Sequence, residues 1–288
     1  MRPIALLIAV LFTLCGFGQD TYLWKVSSNK DEKVSYLLGT HHQLGESYFK
    51  KYPILEKSLL TCQQVVTEVE INRDSATRLF DDRVTIDLAE KLGEKNYAGV
   101  RELLQNFSIN PGKLSPAELV SSLQRKFEQL NCEALVESDR YKLDEYIQVL
   151  ARRYHLSNHY LETMDQQFDY LGKATKNQIT WSDARRYTTI ILKQHSKFKK
   201  SGKKTCPALL DRYLTHHIEF AFNKSCQAFN DKQQLLVVQR NQKWLKELSE
   251  LLKQNNVFIA VGAEHLIYEC GLIMQLKKMG YSVEPVVM

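Results

Sequence analysis

The apolar residues of this chain fall into short β-prone runs at both ends and helical stripes between them. Trp24 to Val26 and Val34 to Gly39 read as two strands of a hairpin, with Asn29-Lys30-Asp31 at the turn. Tyr52 to Leu60 reads as a helix, and Pro53 is acceptable in its first turn. Val65-Val66-Thr67-Glu68-Val69-Glu70-Ile71 follows as an acidic strand. The next long stretch is polar, poor in glycine and mostly helical in pattern. Ser115-Pro116 followed by Glu118 gives a cap-like helix start. Leu143, Ile147 and Leu150 form one helical stripe. Leu161, Met164, Phe168 and Leu171 form another, read as core, which leaves Glu162 and Gln166 on the surface or behind a site. A last helix spans about Gln233 to Gln254, with Leu245, Leu248, Leu251 and Leu252 as its buried stripe. It leads into two more β-prone runs, Val257 to Val261 and Tyr281 to Val287.

This order predicts an α/β (α+β) fold. A central mixed sheet is built from two strand–Gly-x-x-His–helix–strand halves, with a large helical insertion between them. The expected boundaries are 19–73 for the first half, 74–234 for the insertion and 235–288 for the second half, all within one domain over 19–288.

The repeated motif carries the chemistry. Gly39-Thr40-His41-His42 and Gly262-Ala263-Glu264-His265 each close an apolar strand. Open α/β sheets bind ligands at the carboxyl ends of their strands. Gly39 and Gly262 would let the backbone bend or another group approach closely. His42 and His265 would then turn inward as bases or metal ligands. Glu68 and Glu70 are two apart on a strand and would share a face. Two histidines and a carboxylate form a common ligand set for a metal with open positions. His41 should point to the opposite side. His155 and His159, four apart, lack the intervening Glu of a helical zinc site and are read as structural, as are His216 and His217 on a presumed helix.

These residues resemble the TraB/GumN/PrgY family, which includes the TIKI proteins. The matching stretches are Tyr36 to His42, Glu68 to Ile71, Leu161-Glu162-Thr163-Met164-Asp165-Gln166-Gln167, Arg240-Asn241, and Val261 to Leu266. The resemblance implies a site of His42, Glu68, Arg240 and His265, with His41, Glu70, Gly39 and Gly262 around it. It implies a divalent-metal-dependent peptidase for the TIKI branch, and the wider superfamily resembles erythromycin esterases and a haem-binding lipoprotein. The chain departs from the pattern at His41, usually aliphatic, at Glu264, usually small or neutral, and at Asn158-His159-Tyr160, where a Gly is common. The residues alone suggest that Arg240 snorkels out beside Trp244; the resemblance turns it toward the crevice, onto a carboxylate or oxyanion.

Targeting and charge narrow the setting. Residues 1–18 read as a signal peptide, with Met1-Arg2, the apolar run Ile4 to Leu14 and a small-residue ending Gly16-Phe17-Gly18. The protein is therefore expected to be periplasmic or secreted, and membrane-associated only if that segment is retained. The formal charge of +6 is modest for 288 residues. Its one basic concentration, Lys193 to Lys204 around Ser201-Gly202, reads as a solvated loop and not as a nucleic-acid surface, since only Phe198 accompanies it. Cys15 leaves with the leader, and Cys62, Cys132, Cys206, Cys226 and Cys270 remain. An oxidising compartment should pair some of them. Cys206 and Cys226, which flank a helix-like stretch, are the expected pair, and the odd count leaves at least one thiol over.

The leading expectation is an extracytoplasmic hydrolase of peptides or small esters. Mn²⁺, Co²⁺ or Zn²⁺ would be held by His42, His265 and Glu68, or Glu68 would instead be the general base with Glu70 behind it, and Arg240 would stabilise the oxyanion. The alternatives are metal-free His/Glu hydrolysis and non-catalytic capture of a peptide or haem in the same crevice.

Overall fold

The structure is a computed structural model and describes residues 21–28, 32–72, 80–136, 138–175, 179–202 and 204–288. The leader expected over residues 1–18, the turn at Asn29-Lys30-Asp31, and Lys203 lie outside the described residues.

In chain order, β1 (Leu23–Ser28) and β2 (Val34–Thr40) pair as a hairpin, α1 (Glu46–Lys51) and α2 (Pro53–Leu60) follow, and β3 (Gln64–Val69) returns to the sheet. The middle segment holds α3 (Leu88–Leu92), α4 (Glu94–Leu103), α5 (Pro116–Asn131), α6 (Leu143–Arg153), β4 (Ser157–Glu162), α7 (Met164–Thr175), α8 (Trp181–Ser201) and α9 (Ala208–Leu214). Then come α10 (Arg240–Gln254), β5 (Val257–Gly262), α11 (Leu272–Lys278) and β6 (Tyr281–Pro285).

The strand order is β4-β3-β5-β2-β1-β6. β4, β3, β5 and β2 run parallel, and β1 lies antiparallel to both β2 and β6, so the sheet is mixed as expected. β5 is buried at every position. Its unbroken run Val257-Phe258-Ile259-Ala260-Val261 is the signature of a parallel strand covered on both faces. The β2–β5 register pairs Thr40 with Gly262, so the two Gly-x-x-His turns leave the sheet side by side.

Alternation along the strands builds two layers. Leu23, Leu38, Val65, Phe258 and Ala260 pack against α1, α2, α6 and α9. Trp24, Val26, Leu37, Ile259 and Val261 pack on the other face against Trp244 and Leu248 of α10 and Leu272 and Ile273 of α11. A third core, with Leu92, Val100, Leu119, Leu123, Ala184 and Ile191, joins α3, α4, α5 and α8 away from the sheet. The capping box at Ser115 and Glu118 opens α5, as its sequence indicates.

Three expectations change. Lys193 to Ser201 is helix, not loop: a capping box at Thr180 and Asp183 starts α8, and its buried stripe Ala184, Thr188, Ile191 packs it on the insertion while the lysines face water. Leu161 belongs to strand β4, and the helix starts only at Met164, so the supposed core stripe is broken and Leu171 is exposed. The middle segment thus supplies a strand to the sheet. His155 and His159 share no helix; His159 Nε2 meets Glu247 Oε1 at 2.7 Å. His216 lies beyond the end of α9, where it packs on the rings of Tyr22 and Tyr52.

The expected Cys206–Cys226 pair is not formed. Cys206 bonds Cys132 and Cys226 bonds Cys270. The reason is spatial: Thr205 N–H donates to Asn131 O at the end of α5, whereas Cys270 N–H contacts Cys226 Sγ near the start of α11. Cys62 is a buried free thiol. With separations of 74 and 44 residues, the loop-closure estimate gives each bridge about 4 kcal/mol. Non-reducing peptide mapping should recover those two linked peptides, with Cys62 alkylated only after unfolding. A Cys206–Cys226 peptide would contradict this pairing.

Candidate active site

The sheet brings β2, β3 and β5 together at their carboxyl ends, and their last residues build one polar cluster. Glu68 near the end of β3 is buried and faces Gly262. A Cβ on Gly262 would stand 3.2 Å from His42 Nε2, 3.3 Å from Glu68 Oε1 and 3.6 Å from His265 Cδ2. Three polar side chains therefore converge on a backbone position where an added Cβ would be crowded. Gly39 is needed for a different approach: its Cβ would lie 3.1 Å from Ala263 Cα, the backbone of the second motif.

Arg240, the first residue of α10, is the hub. Only 7 % of its surface is exposed. Nη2 donates to Glu68 Oε2 at 2.6 Å and to Glu162 Oε2 at 3.0 Å, and Nε donates to Glu162 Oε1 at 3.0 Å. Nη1 reaches His265 Nε2 at 3.2 Å and Leu236 O at 3.4 Å. These contacts occupy all five N–H groups of the guanidinium. The indole of Trp244, one turn on, stacks below it at 4.6 Å and donates Nε1–H to Glu162 Oε1 at 3.0 Å. Glu162 has no exposed side-chain surface. Sequence reasoning placed it on the surface or behind a site; it is a buried partner of Arg240.

The hydrogen bonds set the His265 tautomer. A guanidinium can only donate, so Nε2 accepts and Nδ1 carries the proton. Nδ1–H donates to Asn241 Oδ1 at 2.7 Å. Asn241 is oriented in turn by its Nδ2, which donates to the carbonyls of His265 and Cys270, each at 3.1 Å. Burial is the main cause that lowers His265 to a pKa of about 4; Glu68 opposes it, while Arg240 and His42 add to it. Burial also pushes Glu68 upward, but His265, Arg240, His42 and the Gly262 N–H pull it down to about 2.

His42 is the accessible member, with 66 % of its side chain exposed. Its Nδ1 bonds Asp144 Oδ2 at 2.8 Å, and Asp144 Oδ1 accepts from Thr40 Oγ1 at 2.5 Å. The Asp144 charge is the main cause that raises His42 to about 9, against desolvation and with help from the hydrogen bond. Asp144 escaped the sequence reading because an acid in a first helical turn is ordinary. The available signal was that Asp144 and Gln148 are four apart on a helix that must cover strand ends. Gln148 indeed donates to Thr67 Oγ1 and Val69 O.

A cleft of about 350 Å³ opens on this cluster, floored by His42, Glu68, Asp144 and Arg240 and walled by Met164 and Tyr170 among others. Two expected neighbours lie elsewhere. Glu70 follows the end of β3, is exposed, and lines a groove with Lys243 and Glu247, so it does not share the face of Glu68. His41 follows the end of β2 and faces Tyr213, with ring centres 5.5 Å apart. It lines a separate pocket with Glu264, so the departures within the two Gly-x-x-His motifs fall on one side.

The fold and cluster define an α/β protein whose paired Gly-x-x-His turns, strand Glu and helical Arg meet at one sheet edge. The sequence profile of the TraB/PrgY/gumN family matches residues 22–285, and the chain belongs to that family. No curated protein sequence matches it.

Removing the hub should be costly. Arg240→Met leaves Glu68 and Glu162 buried without a cation and should lower stability by about 3–5 kcal/mol in urea denaturation. A loss below about 1 kcal/mol would mean that the three groups are not desolvated together.

Proposed function

We propose that the protein is an extracytoplasmic, periplasmic or secreted, hydrolase of small peptides or esters in which His42 is the general base. The observation that carries this reading is the Asp144–His42 pair, which leaves Nε2 free at the cleft beside the fixed Glu68–Arg240–His265 cluster. Neutral His42 keeps its Nδ1 proton on Asp144 and takes a proton from a cleft water through Nε2. The water oxygen then adds to the acyl carbon, and as the bond from that carbon to the leaving amine or alkoxide breaks, the imidazolium returns the proton to the leaving group through Nε2. Ionised Glu68, held by Arg240 and the Gly262 N–H, stabilises the imidazolium that forms. Glu68 itself is too weak a base at a pKa of about 2. Arg240 has no N–H left for an oxyanion and acts by fixing Glu68 and His265. Two disulfides support an oxidising compartment. No described helix is long and apolar enough to cross a membrane.

A divalent ion at His42, His265 and Glu68 is the second reading, whether Mn²⁺, Co²⁺ or Zn²⁺. One observation favours it: each imidazole ties Nδ1 to an oxygen and turns Nε2 toward the centre, the habit of metal-ligating histidines. The donor set does not fit as it stands. Arg240 holds His265 Nε2 and Glu68 Oε2, and the Gly262 N–H holds Oε1. A thermal shift with each ion that His42→Ala and His265→Ala both abolish would favour the metal over the base.

The pH dependence separates stability from chemistry. His42 is raised from 6.5 to about 9. The Asp144 pair therefore contributes stability in full below about pH 6.5 and loses it as pH rises through about 9. Catalysis runs the other way, since only neutral His42 is a base. kcat/KM on an ester should climb with pH and level off near 9. Asp144→Asn should move that limb to lower pH and reduce the plateau about a hundredfold or more. A profile that is flat between about pH 6 and 10 would exclude His42 as the base.

A further inference from the structure

The charges that line the cleft are unequally matched. Glu68 is paired with Arg240, and Asp144 with His42. Arg125 of α5 is the fifth charged residue of the lining. Among the described residues it has no carboxylate within ion-pair distance, and its only hydrogen bond is a long one, Nη2 to Ser122 Oγ at 3.4 Å. The carboxylate closest in sequence, Glu128, is already taken: Gln124 Nε2 donates to its Oε1 at 2.6 Å, and Gln43 Nε2 donates to its Oε2. The Gln43 bond also ties α5 to the turn that carries His42, so Arg125 is fixed relative to the base. Arg125 is exposed and lines the cleft. Partial desolvation lowers its pKa, and the nearby Glu128 charge offsets this only in part.

We propose that Arg125 binds the terminal carboxylate of a short peptide whose acyl group lies at His42. The inference rests on the hydrolase reading for the cleft being the substrate site. A guanidinium fork matches a carboxylate with two parallel hydrogen bonds. The remaining wall, with Val69, Met164, Leu171 and Leu236, suits an apolar side chain. The cleft is about 350 Å³, near the lower end of ligand pockets. It holds a few residues at most, so a chain end must lie within it or at its mouth, and Arg125 selects the carboxyl end. Arg125 is a specificity residue here, separate from the groups that move protons.

The test compares acetyl-Ala-Leu with acetyl-Ala-Leu-amide, which differ only in the carboxylate. Binding is measured by calorimetry and turnover by product analysis, for wild type, Arg125→Gln and Arg125→Lys. Wild type should bind the acid at least about tenfold more tightly than the amide, the scale of one hydrogen bond to a charged group. Arg125→Gln should erase that preference, and Arg125→Lys should restore part of it. Equal binding of acid and amide, a preference that survives in Arg125→Gln, or no measurable binding of the acid would overturn the proposal. An acid that binds through Arg125 but is not cleaved would count against the hydrolase reading and leave this one standing.

Discussion

A guanidinium withdrawn from water needs its charge matched and every N–H bonded. Arg240 meets both demands with two carboxylates, an imidazole and a carbonyl. The idealised cost of dehydrating such an ion is of order 20 kcal/mol, repaid only when the geometry is complete. That requirement ties together elements far apart in sequence. Glu68 comes from β3, Glu162 from β4 and His265 from the turn after β5, while Arg240 starts α10. Sheet order satisfies the geometry, because β3 and β4 are neighbours and Val69 pairs with Glu162 in register.

Most of the architecture was legible because it rests on period. The apolar run of β5, the stripe Leu143, Ile147, Leu150 and the cap before α5 all appear where the residues place them. The two Gly-x-x-His turns were also legible, since a repeat in matched surroundings is a signal that a single copy lacks. Their convergence with Glu68 and Arg240 follows from the β2–β5 pairing.

What escaped the sequence reading has physical reasons. β4 is an edge strand whose first half, Ser157-Asn158-His159, is polar and part exposed, so Leu161 fell into a helical stripe instead. That misreading hid Glu162, which accepts from Nε and Nη2 of Arg240 and from the Trp244 indole. Asp144 looked like a routine helix-start acid, and only the packing of α6 over the strand ends turns it toward His42. The basic run looked mobile because repulsion was weighed without the apolar side of the same helix. Cysteine partners depend on contacts between distant segments, and nearness along the chain is a poor guide to them. A division of labour follows: strand ends hold the reactive groups, while α5, α6 and α7 from the middle segment supply cleft walls and the residues that orient His42.

The segment Gln234–Gln239, which leads into Arg240, is π-helical. Such a turn holds one residue more than an α-helical path of the same rise. It works as a stored insertion: the added residue is absorbed within one turn and shifts the phase of the helix by about 100°. Upstream, Gln233 lines the pocket that contains His41; downstream, Arg240 and Trp244 face the buried acids. The two faces are thereby uncoupled in phase, so a lineage could lose or regain that one residue and re-aim the upstream wall without re-aiming the guanidinium.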